Sequence, residues 1–276
     1  MFSNAPIGVF DSGYGGLTVL SEIKNRLPQF DYIYLGDNAR APYGNRSFDV
    51  VYEFTLEAVK FLFDKGCPLV IIACNTASAK ALRSIQQNDL PTISHDKRVL
   101  GVIRPSTEEI GTLTRSKHVG VLGTTGTIQS ESYLIELQKF APEIKVTQHA
   151  CPMWVPLIEN DRHNSFAGKL FIEEDVQALL QKDPNIDTVI LACTHYPVIK
   201  QQIEEILGPK VQVIAQGPIV AEKLADYLLR HHHMENKLSK KGTVHYYTTE
   251  NSQLFNQKAS QFIGEQIVSE HVEIAC

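Results

Sequence analysis

Short apolar runs alternate with amphipathic stretches along most of this 276-residue chain. The runs are about five residues long and rich in Val and Ile, which is typical of strands buried on both faces of a sheet. The predicted strands are 6–10, 32–35, 69–73, 98–103, 118–122, 145–148, 188–192, 211–214 and 245–248. The predicted helices include 16–26, 47–65, 78–87, 130–140, 166–181 and 219–230. Because strands that alternate with helices form βαβ units, the sequence predicts an α/β fold with mainly parallel sheets flanked by helices.

Two segments from the first half of the chain recur in the second half. Ile-Gly-Val-Phe-Asp-Ser-Gly at 7–13 resembles Val-Gly-Val-Leu-Gly-Thr-Thr at 119–125. Val-Ile-Ile-Ala-Cys-Asn-Thr at 70–76 resembles Val-Ile-Leu-Ala-Cys-Thr-His at 189–195. The offsets, 119 − 7 = 112 and 189 − 70 = 119, are similar, and the order is kept. A chance likeness between two βα units is the alternative, but the order and spacing favour two pseudo-symmetric α/β domains.

The repeat also predicts where the chain passes from one domain to the other. We assign residues 1–97 and 215–276 to the first domain, which carries Cys74, and residues 98–214 to the second, which carries Cys193. The C-terminal segment therefore returns to complete the first domain. In open α/β sheets, chemistry collects in loops beyond the carboxyl ends of the strands, so we expect the active site at the domain interface.

Charge and hydropathy argue against several classes of partner. The chain has 26 Lys and Arg residues against 31 Asp and Glu, and its net charge of −5 gives no electrostatic attraction for nucleic acid or an anionic membrane. No run approaches the roughly 18 to 20 apolar residues of a membrane span. Residues 1–10 lack the cationic start and long apolar core of a secretory signal, so a cytoplasmic location is expected.

The cysteine pattern indicates free thiols rather than a cross-linked scaffold. The five cysteines are an odd number without a Cys-x-x-Cys pair, which fits neither a disulfide framework nor a zinc ribbon. The consecutive histidines at 231–233 have no spaced partner, so no metal is expected. Cys67, Cys151 and Cys276 lie outside the repeated segments and are interpreted as structural.

Cys74 and Cys193 each follow a strongly apolar predicted strand, at equivalent positions of the repeat. A thiol at the turn into a helix faces backbone N–H groups that stabilise a thiolate, which predicts a lowered pKa. A lone cysteine in such a chain is usually buried and structural, but two in matching contexts favour a function. Polar side chains suited to bind a substrate carboxylate follow both cysteines: Asn75, Thr76, Thr194 and His195.

Two thiols on opposite sides of one carbon atom suit the inversion of a stereocentre. One group removes a proton from one face while the other supplies a proton to the opposite face, and they exchange roles in the reverse direction. A cysteine can serve as base or acid near neutral pH. His195, on the same loop as the second thiol, is predicted to assist this proton transfer. The pattern therefore predicts an amino-acid racemase that needs no cofactor.

Three polar or glycine-rich loops are further candidates for substrate contacts. Asp11 and Ser12 precede Gly-Tyr-Gly-Gly at the start of a predicted helix, where Ser12 would bind a carboxylate and Asp11 would lie near the amino group or the first thiol. Tyr43 and Gly44 would offer backbone N–H groups, and Thr124 lies on a hydroxyl-rich loop. Each loop is also consistent with a helix cap or a structured turn. None matches a P-loop or Gly-x-Gly-x-x-Gly, so no nucleotide site is expected.

Taken in order, these motifs resemble those of glutamate racemases, within the aspartate/glutamate racemase family. They are Phe-Asp-Ser-Gly-x-Gly-Gly-Leu, Tyr-Leu-Gly-Asp-x-x-x-x-Pro-Tyr-Gly, Ala-Cys-Asn-Thr-Ala, Gly-Val-Leu-Gly-Thr and Ala-Cys-Thr-His-Tyr-Pro, spread over residues 11–197. The resemblance implies reversible interconversion of L- and D-glutamate without pyridoxal phosphate or metal. It implies that D-glutamate is supplied for peptidoglycan, and thus for cell-wall formation and cell shape. It also implies two α/β domains with the active site between them and, commonly, a homodimer.

The resemblance also implies roles for individual residues. Cys74 would act on D-glutamate and Cys193 on L-glutamate, while Glu159, in Cys-Pro-Met-Trp-Val-Pro-Leu-Ile-Glu, would assist catalysis. The residues implied to contact the substrate are Asp11, Ser12, Tyr43, Gly44, Asn75, Thr76, Thr194 and His195. Some glutamate racemases are reported to inhibit DNA gyrase, but nothing in these residues supports that role here.

Two segments depart from the family's usual pattern. Ala-Gln-Gly-Pro at 215–218 stands where many members have Asp-Ser, and Arg-Pro-Ser at 104–106 stands where Glu-Pro-Gly is usual. These departures bear on dimer contacts, domain hinging or regulation more than on the chemistry. Two alternatives stay open. One is a racemase of the same superfamily that acts on aspartate or a hydantoin, and the other is a binding or regulatory protein that keeps the fold without turnover.

Overall fold

Two parallel β-sheets flanked by helices make up the computed structural model, which describes residues 5–274. The strands are β1 (Ile7–Asp11), β2 (Tyr32–Gly36), β3 (Leu69–Ile72), β4 (Arg98–Gly101), β5 (His118–Gly123), β6 (Lys145–Ala150), β7 (Thr188–Ala192), β8 (Gln212–Ile214), β9 (Val244–Thr248) and β10 (Ser269–His271). The first sheet has the order β10-β9-β2-β1-β3-β4, and the second has the order β6-β5-β7-β8. The predicted fold class is confirmed.

Helices connect the strands and cover both faces of each sheet. They are α1 (Gly16–Arg26), α2 (Phe48–Asp64), α3 (Asn75–Lys80), α4 (Leu82–Ser84), α5 (Leu90–Ile93), α6 (Ile103–Leu113), α7 (Thr125–Gln129), α8 (Ser132–Phe140), α9 (Trp154–Glu159), α10 (Phe166–Lys182), α11 (Lys200–Leu207), α12 (Gln216–Arg230), α13 (His232–Glu235) and α14 (Ser252–Ile263). Single 3-10 turns lie at Asn38–Arg40 and Tyr196–Ile199. Among residues 5–274, no helix has the length and apolar character needed to cross a membrane.

The strand register supports an internal duplication. In the first sheet Ile7 of β1 pairs with Leu69 of β3, and in the second sheet Val119 of β5 pairs with Thr188 of β7. These pairs are related by 119 − 7 = 112 and 188 − 69 = 119 residues, which are the two offsets seen in the sequence. The order β2-β1-β3-β4 also matches β6-β5-β7-β8. The loops that follow β3 and β7 therefore occupy equivalent places in the two sheets.

One boundary of the predicted second domain is wrong. Residues 98–101 were assigned to the start of that domain, but they form β4, which pairs with β3 at the edge of the first sheet. The apolar run at 98–103 identifies a strand, but a local pattern carries no information about which sheet an edge strand joins. The chain passes between the sheets after β4 and again after β8, since β9 and β10 return to the first sheet. We propose that the two-domain division follows these two crossings.

The inner strands β1, β3, β5 and β7 are buried on both faces of their sheets, which explains why they read as continuous apolar runs. Ile7 and Val9 of β1 pack into the core on one side of the first sheet, whereas Phe10 packs into the core on the other side. In the second sheet Val121 and Leu122 of β5 are divided between two cores in the same way. Such double burial favours apolar residues at every strand position instead of an alternating pattern.

The helix predicted at 78–87 is interrupted in the structure. Helix α3 ends at Lys80, a three-residue helix α4 follows, and Ile85–Asp89 forms a π turn before α5. The start of α3 is earlier than predicted, because the Cys74 sulfur accepts a hydrogen bond from the Ala77 backbone N–H and so acts as the N-cap. The first thiol is thereby fixed at the junction between β3 and α3.

Candidate active site

The two repeated cysteines open onto one cleft between the carboxyl ends of the two sheets. Cys74 follows β3 and Cys193 follows β7, and both thiols are buried, with 5% and 7% of the residue exposed. Most of the predicted contact residues line the same cleft, together with the cysteines: Ser12, Tyr43, Gly44, Asn75, Thr76, Thr124, Thr194 and His195. The structure thus brings together loops that are more than a hundred residues apart in the chain.

Cys74 is held in the neutral form by its surroundings. Its sulfur lies 3.4 Å from the Ser12 hydroxyl oxygen and accepts a hydrogen bond from the Ala77 N–H at 3.5 Å. Burial, together with the charge of the nearby Asp11 carboxylate, raises the pKa of the thiol to about 12, although the two hydrogen bonds act to lower it. The lowered pKa expected from the helix N-terminus is therefore wrong for Cys74, because desolvation outweighs the helix contribution.

Cys193 has a different partner, an imidazole that is itself paired with a carboxylate. The Cys193 sulfur lies 3.9 Å from His195 Nδ1, and His195 Nε2 lies 2.9 Å from Glu159 Oε1. Burial alone would lower the pKa of His195, but hydrogen bonds and charge interactions with Cys193 and Glu159 raise it to about 10. At neutral pH the ring is therefore an imidazolium, which places a positive charge beside the Cys193 sulfur.

Glu159 completes this pairing from helix α9. Burial would raise the pKa of its carboxyl group, but the hydrogen bond and charge of His195, with a smaller contribution from Lys258, hold that pKa below its ordinary value. The carboxylate does not line the cleft and acts on it through His195. Its place fits the assisting role that the family resemblance implies.

Asp11 connects the loop that follows β1 to the second thiol loop, which follows β7. One carboxylate oxygen accepts the Gly13 N–H at 2.8 Å, and the other accepts the Thr194 hydroxyl at 3.2 Å. Burial raises the pKa of Asp11, opposed by the positive charge of His195 and by these hydrogen bonds. Asp11 is fully buried and does not line the cleft. Its contacts therefore orient the loop that follows β7 against the loop that follows β1.

Hydroxyl groups that follow strands of both sheets lie close together at the cleft. The Thr76 and Thr124 hydroxyl oxygens lie 2.9 Å apart, and Thr127 lies 3.0 Å from Thr124. Next to them the Gly126 N–H donates to the Gly44 carbonyl at 2.8 Å. Each hydroxyl group can donate or accept, so this cluster can turn its hydrogens toward an anionic ligand.

Several cleft residues were not among the predicted contacts. They are Pro42, Asn45, Pro152, Val155 and Pro156. The first two flank Tyr43 and Gly44, and the other three belong to the Cys-Pro-Met-Trp-Val-Pro motif that leads to Glu159. Their positions next to predicted contact residues in the sequence could have indicated that they line the cleft. Their apolar or short side chains, however, have no chemistry that singles them out in a sequence.

Gly15 gives a first prediction, because its position has no room for a side chain. A Cβ atom built there overlaps with Thr194 Oγ1 and His195 Nδ1. We expect Gly15→Ala to displace the second thiol loop and to lower kcat/KM about tenfold or more, since misplacement by about 1 Å is costly in catalysis. Steady-state racemisation rates measure this effect. Gly111→Ala is the matched control, because its Cβ meets only the Ala141 methyl group, at 3.3 Å; equal activity of both variants would contradict the prediction.

The described residues also contain one group of potential metal ligands away from the cleft. His149, Cys151 and Asp175 each place a ligand atom within 4.8 Å of the others. The His149 Nε2 atom is already paired with Asp175 at 2.8 Å, and the Lys182 ammonium lies 3.1 Å from Nδ1. A cation beside the group and a satisfied imidazole both oppose metal binding. That the chain needs no metal stays a prediction.

Two buried thiols from equivalent strands of a duplicated fold, opening onto one cleft, define the class of two-base racemases and epimerases. The chain belongs to the Asp/Glu/Hydantoin racemase family, whose model matches residues 14–224. A curated glutamate racemase from Streptococcus thermophilus is 37% identical over 275 residues, which cover 98% of this chain and 97% of the relative.

Solved structures give the same assignment. A glutamate racemase from Bacillus anthracis superposes with a TM-score of 0.89 at 34% identity, over 98% of each chain. A glutamate racemase from Francisella tularensis, solved in complex with D-glutamate, superposes with a TM-score of 0.86 at 33% identity, again over 98% of each chain. The resemblance drawn from the motifs is thereby confirmed.

Proposed function

We propose that this racemase interconverts L-glutamate and D-glutamate by a two-thiol mechanism. The single observation that carries the mechanism is the opening of Cys74 and Cys193 onto one cleft from the two duplicated halves. The choice of glutamate is supported by the similarity to glutamate racemases over nearly the whole chain, including one solved with D-glutamate. A cofactor is not needed for this chemistry, because both proton transfers are made by side chains.

In the direction from L- to D-glutamate, Cys193 acts first. Its thiolate, stabilised by the His195 imidazolium, takes the proton from the α-carbon of L-glutamate. The Cys74 thiol, which is protonated at neutral pH, then gives its proton to the opposite face of the same carbon. At the end Cys193 carries a proton and Cys74 is a thiolate. This is the protonation state from which D-glutamate is converted to L-glutamate. The reverse reaction, or proton exchange with water, therefore restores the starting form.

The remaining cleft residues are proposed to bind the substrate. The hydroxyl groups of Ser12, Thr76 and Thr124 and the Asn75 amide supply neutral donors for the two carboxylates of glutamate. The backbone N–H groups of Tyr43 and Gly44 add donors at one end of the cleft.

The substrate assignment is tested by comparing amino acids of different length and charge. The purified protein is incubated separately with L-glutamate, L-aspartate and L-alanine without added cofactor, and the D-isomer is measured by chiral chromatography. We expect turnover of glutamate at least about 10²-fold faster than of aspartate, because the shorter acid cannot reach both sets of donors at once. Indifference to glutamate, with turnover of another acid, would reject the proposed substrate but not the family.

The biological setting follows from the same assignment. We propose that the enzyme supplies D-glutamate for peptidoglycan, and so serves cell-wall formation, in the cytoplasm where free thiols persist. We also propose that it works as a homodimer, as its family members commonly do. Light scattering coupled to size-exclusion chromatography tests the dimer, and a mass near that of one 30.9 kDa chain at working concentrations would contradict it.

A further inference from the structure

A closed ring of hydrogen bonds lies behind the Cys74 loop. The Asn75 amide nitrogen donates to Gln216 Oε1 at 2.7 Å, and the Gln216 amide nitrogen donates to the Tyr133 hydroxyl at 2.6 Å. Tyr133 closes the ring by donating to Asn75 Oδ1 at 2.6 Å. All three side chains are buried. They come from α3, α8 and α12. The ring therefore joins the first thiol loop to α8, which follows the first chain crossing, and to α12, which follows the second.

The Val102 carbonyl fixes the orientation of every group in the ring, because it lies 3.2 Å from the Gln216 amide nitrogen and can only accept a hydrogen bond. The single hydroxyl hydrogen of Tyr133 goes to Asn75, so the Tyr133 oxygen must accept from Gln216. This sets which end of each amide is oxygen and which is nitrogen. Asn75 uses its oxygen and one of its two amide hydrogens within the ring. One Asn75 N–H is therefore left over at a residue that lines the catalytic cleft.

The ring is anchored by the two segments that begin just after the chain crossings. The Gln216 amide nitrogen also donates toward Ser106 Oγ at 2.8 Å and the Val102 carbonyl at 3.2 Å, and Ser106 in turn donates to the same carbonyl at 2.9 Å. Ser106 lies on α6, just after the first chain crossing, and Gln216 begins α12, just after the second. Two residues 110 positions apart thus contact each other.

We propose that Gln216 and Tyr133 are positioning residues for the racemisation reaction, which hold the Asn75 amide so that its remaining N–H serves a substrate carboxylate. This inference rests on the proposed function. If one member of the ring is removed, a buried donor or acceptor loses its partner, and the Asn75 amide can recover one only by turning away from its bound orientation. The effect on catalysis therefore passes entirely through Asn75.

The test is a double-mutant cycle between Tyr133→Phe and Asn75→Ala. We expect Tyr133→Phe to lower kcat/KM about tenfold, mainly through KM, because Asn75 binds the substrate in the ground state and transition state alike. Added to Asn75→Ala, the same change should have no further effect on kcat/KM. An unchanged kcat/KM for Tyr133→Phe, or losses that multiply in the double variant, would show a merely structural role and overturn the proposal.

Two controls keep the outcome interpretable. Tyr32→Phe removes another buried tyrosine hydroxyl, which donates to the Leu27 carbonyl at 2.7 Å, and should lower Tm while leaving kcat/KM unchanged. If Tyr133→Phe does not fold, Gln216→Met replaces it in the cycle with the same expected result, and failure of both to fold overturns the proposal in favour of a structural ring. Wild-type protein without glutamate turnover would contradict the proposed function, whereas active wild type with unaffected ring variants would contradict the positioning role alone.

Discussion

Replacing either cleft cysteine with alanine should abolish racemisation, lowering the rate by at least about 10³-fold, because each thiol is proposed to transfer the proton on its own face of the substrate. The two variants should still differ in one respect. Cys74→Ala keeps the thiolate–imidazolium pair and should exchange the α-hydrogen of L-glutamate, but not of D-glutamate, with solvent deuterium. Cys193→Ala leaves only a buried thiol whose pKa is raised to about 12, so its exchange of D-glutamate should be much slower.

Cys67→Ala is the matched control for both changes. Cys67 is a fully buried free thiol outside the cleft, so its loss should affect stability but not the rate of racemisation. Proton NMR of the α-position in deuterated water measures exchange, and chiral chromatography measures racemisation in the same samples. Full racemase activity in either cleft variant, or loss of activity in Cys67→Ala to the same extent, would reject the paired-thiol mechanism.

A change in pH dependence is expected for His195→Asn. In the wild type the pKa of His195 is about 10, so the ring stays protonated from neutral pH to about 9 and loses its proton as the pH rises through 10. Since the imidazolium is proposed to support Cys193, kcat/KM should fall as the pH rises through about 10. The value of kcat/KM falls with rising pH because the active form of the enzyme is the one in which His195 is protonated.

In His195→Asn the thiolate must form without a cationic neighbour. We expect kcat/KM near pH 7 to fall about 10²-fold and then to rise with pH across the alkaline range, as the fraction of an unassisted thiol that is ionised increases. His149→Asn is a suitable control, because His149 also pairs with a carboxylate, Asp175, but lies outside the cleft. Parallel pH profiles for wild type and His195→Asn would show that the imidazolium does not support Cys193.

The α/β architecture and the two thiol loops could be predicted because both depend on local chemistry. Buried parallel strands are apolar at every position, so β1, β3, β5 and β7 stand out as short runs, and the repeat is visible because both copies keep the residues that end those strands. The exposed edge strand β10 lacks that signal, since Ser269–His271 is polar. Strand β4 was found but assigned to the wrong domain, because sheet membership depends on contacts distant in sequence.

The protonation states of the site also depend on contacts that are distant in sequence, so the sequence predicts them only in part. That His195 lies close to Cys193 could be inferred from a spacing of two residues. The raised pKa of Cys74 could not, because it arises from complete burial and from Asp11, 63 positions earlier in the chain. The ring of Asn75, Tyr133 and Gln216 likewise joins residues with no relation in sequence. Patterns reveal which residues carry chemistry, whereas their protonation and orientation require the folded chain.

The most direct test of the central claim follows hydrogen at the α-carbon during turnover. Purified wild-type protein is incubated with L-glutamate in deuterated water without added cofactor, and the product is examined by chiral chromatography and mass spectrometry. We predict that D-glutamate appears and that it carries one deuterium at the α-carbon from the first turnover, because the thiol that reprotonates the opposite face has exchanged with solvent. D-glutamate that keeps its original α-hydrogen, or no D-glutamate at all, would contradict the account of two opposed thiols.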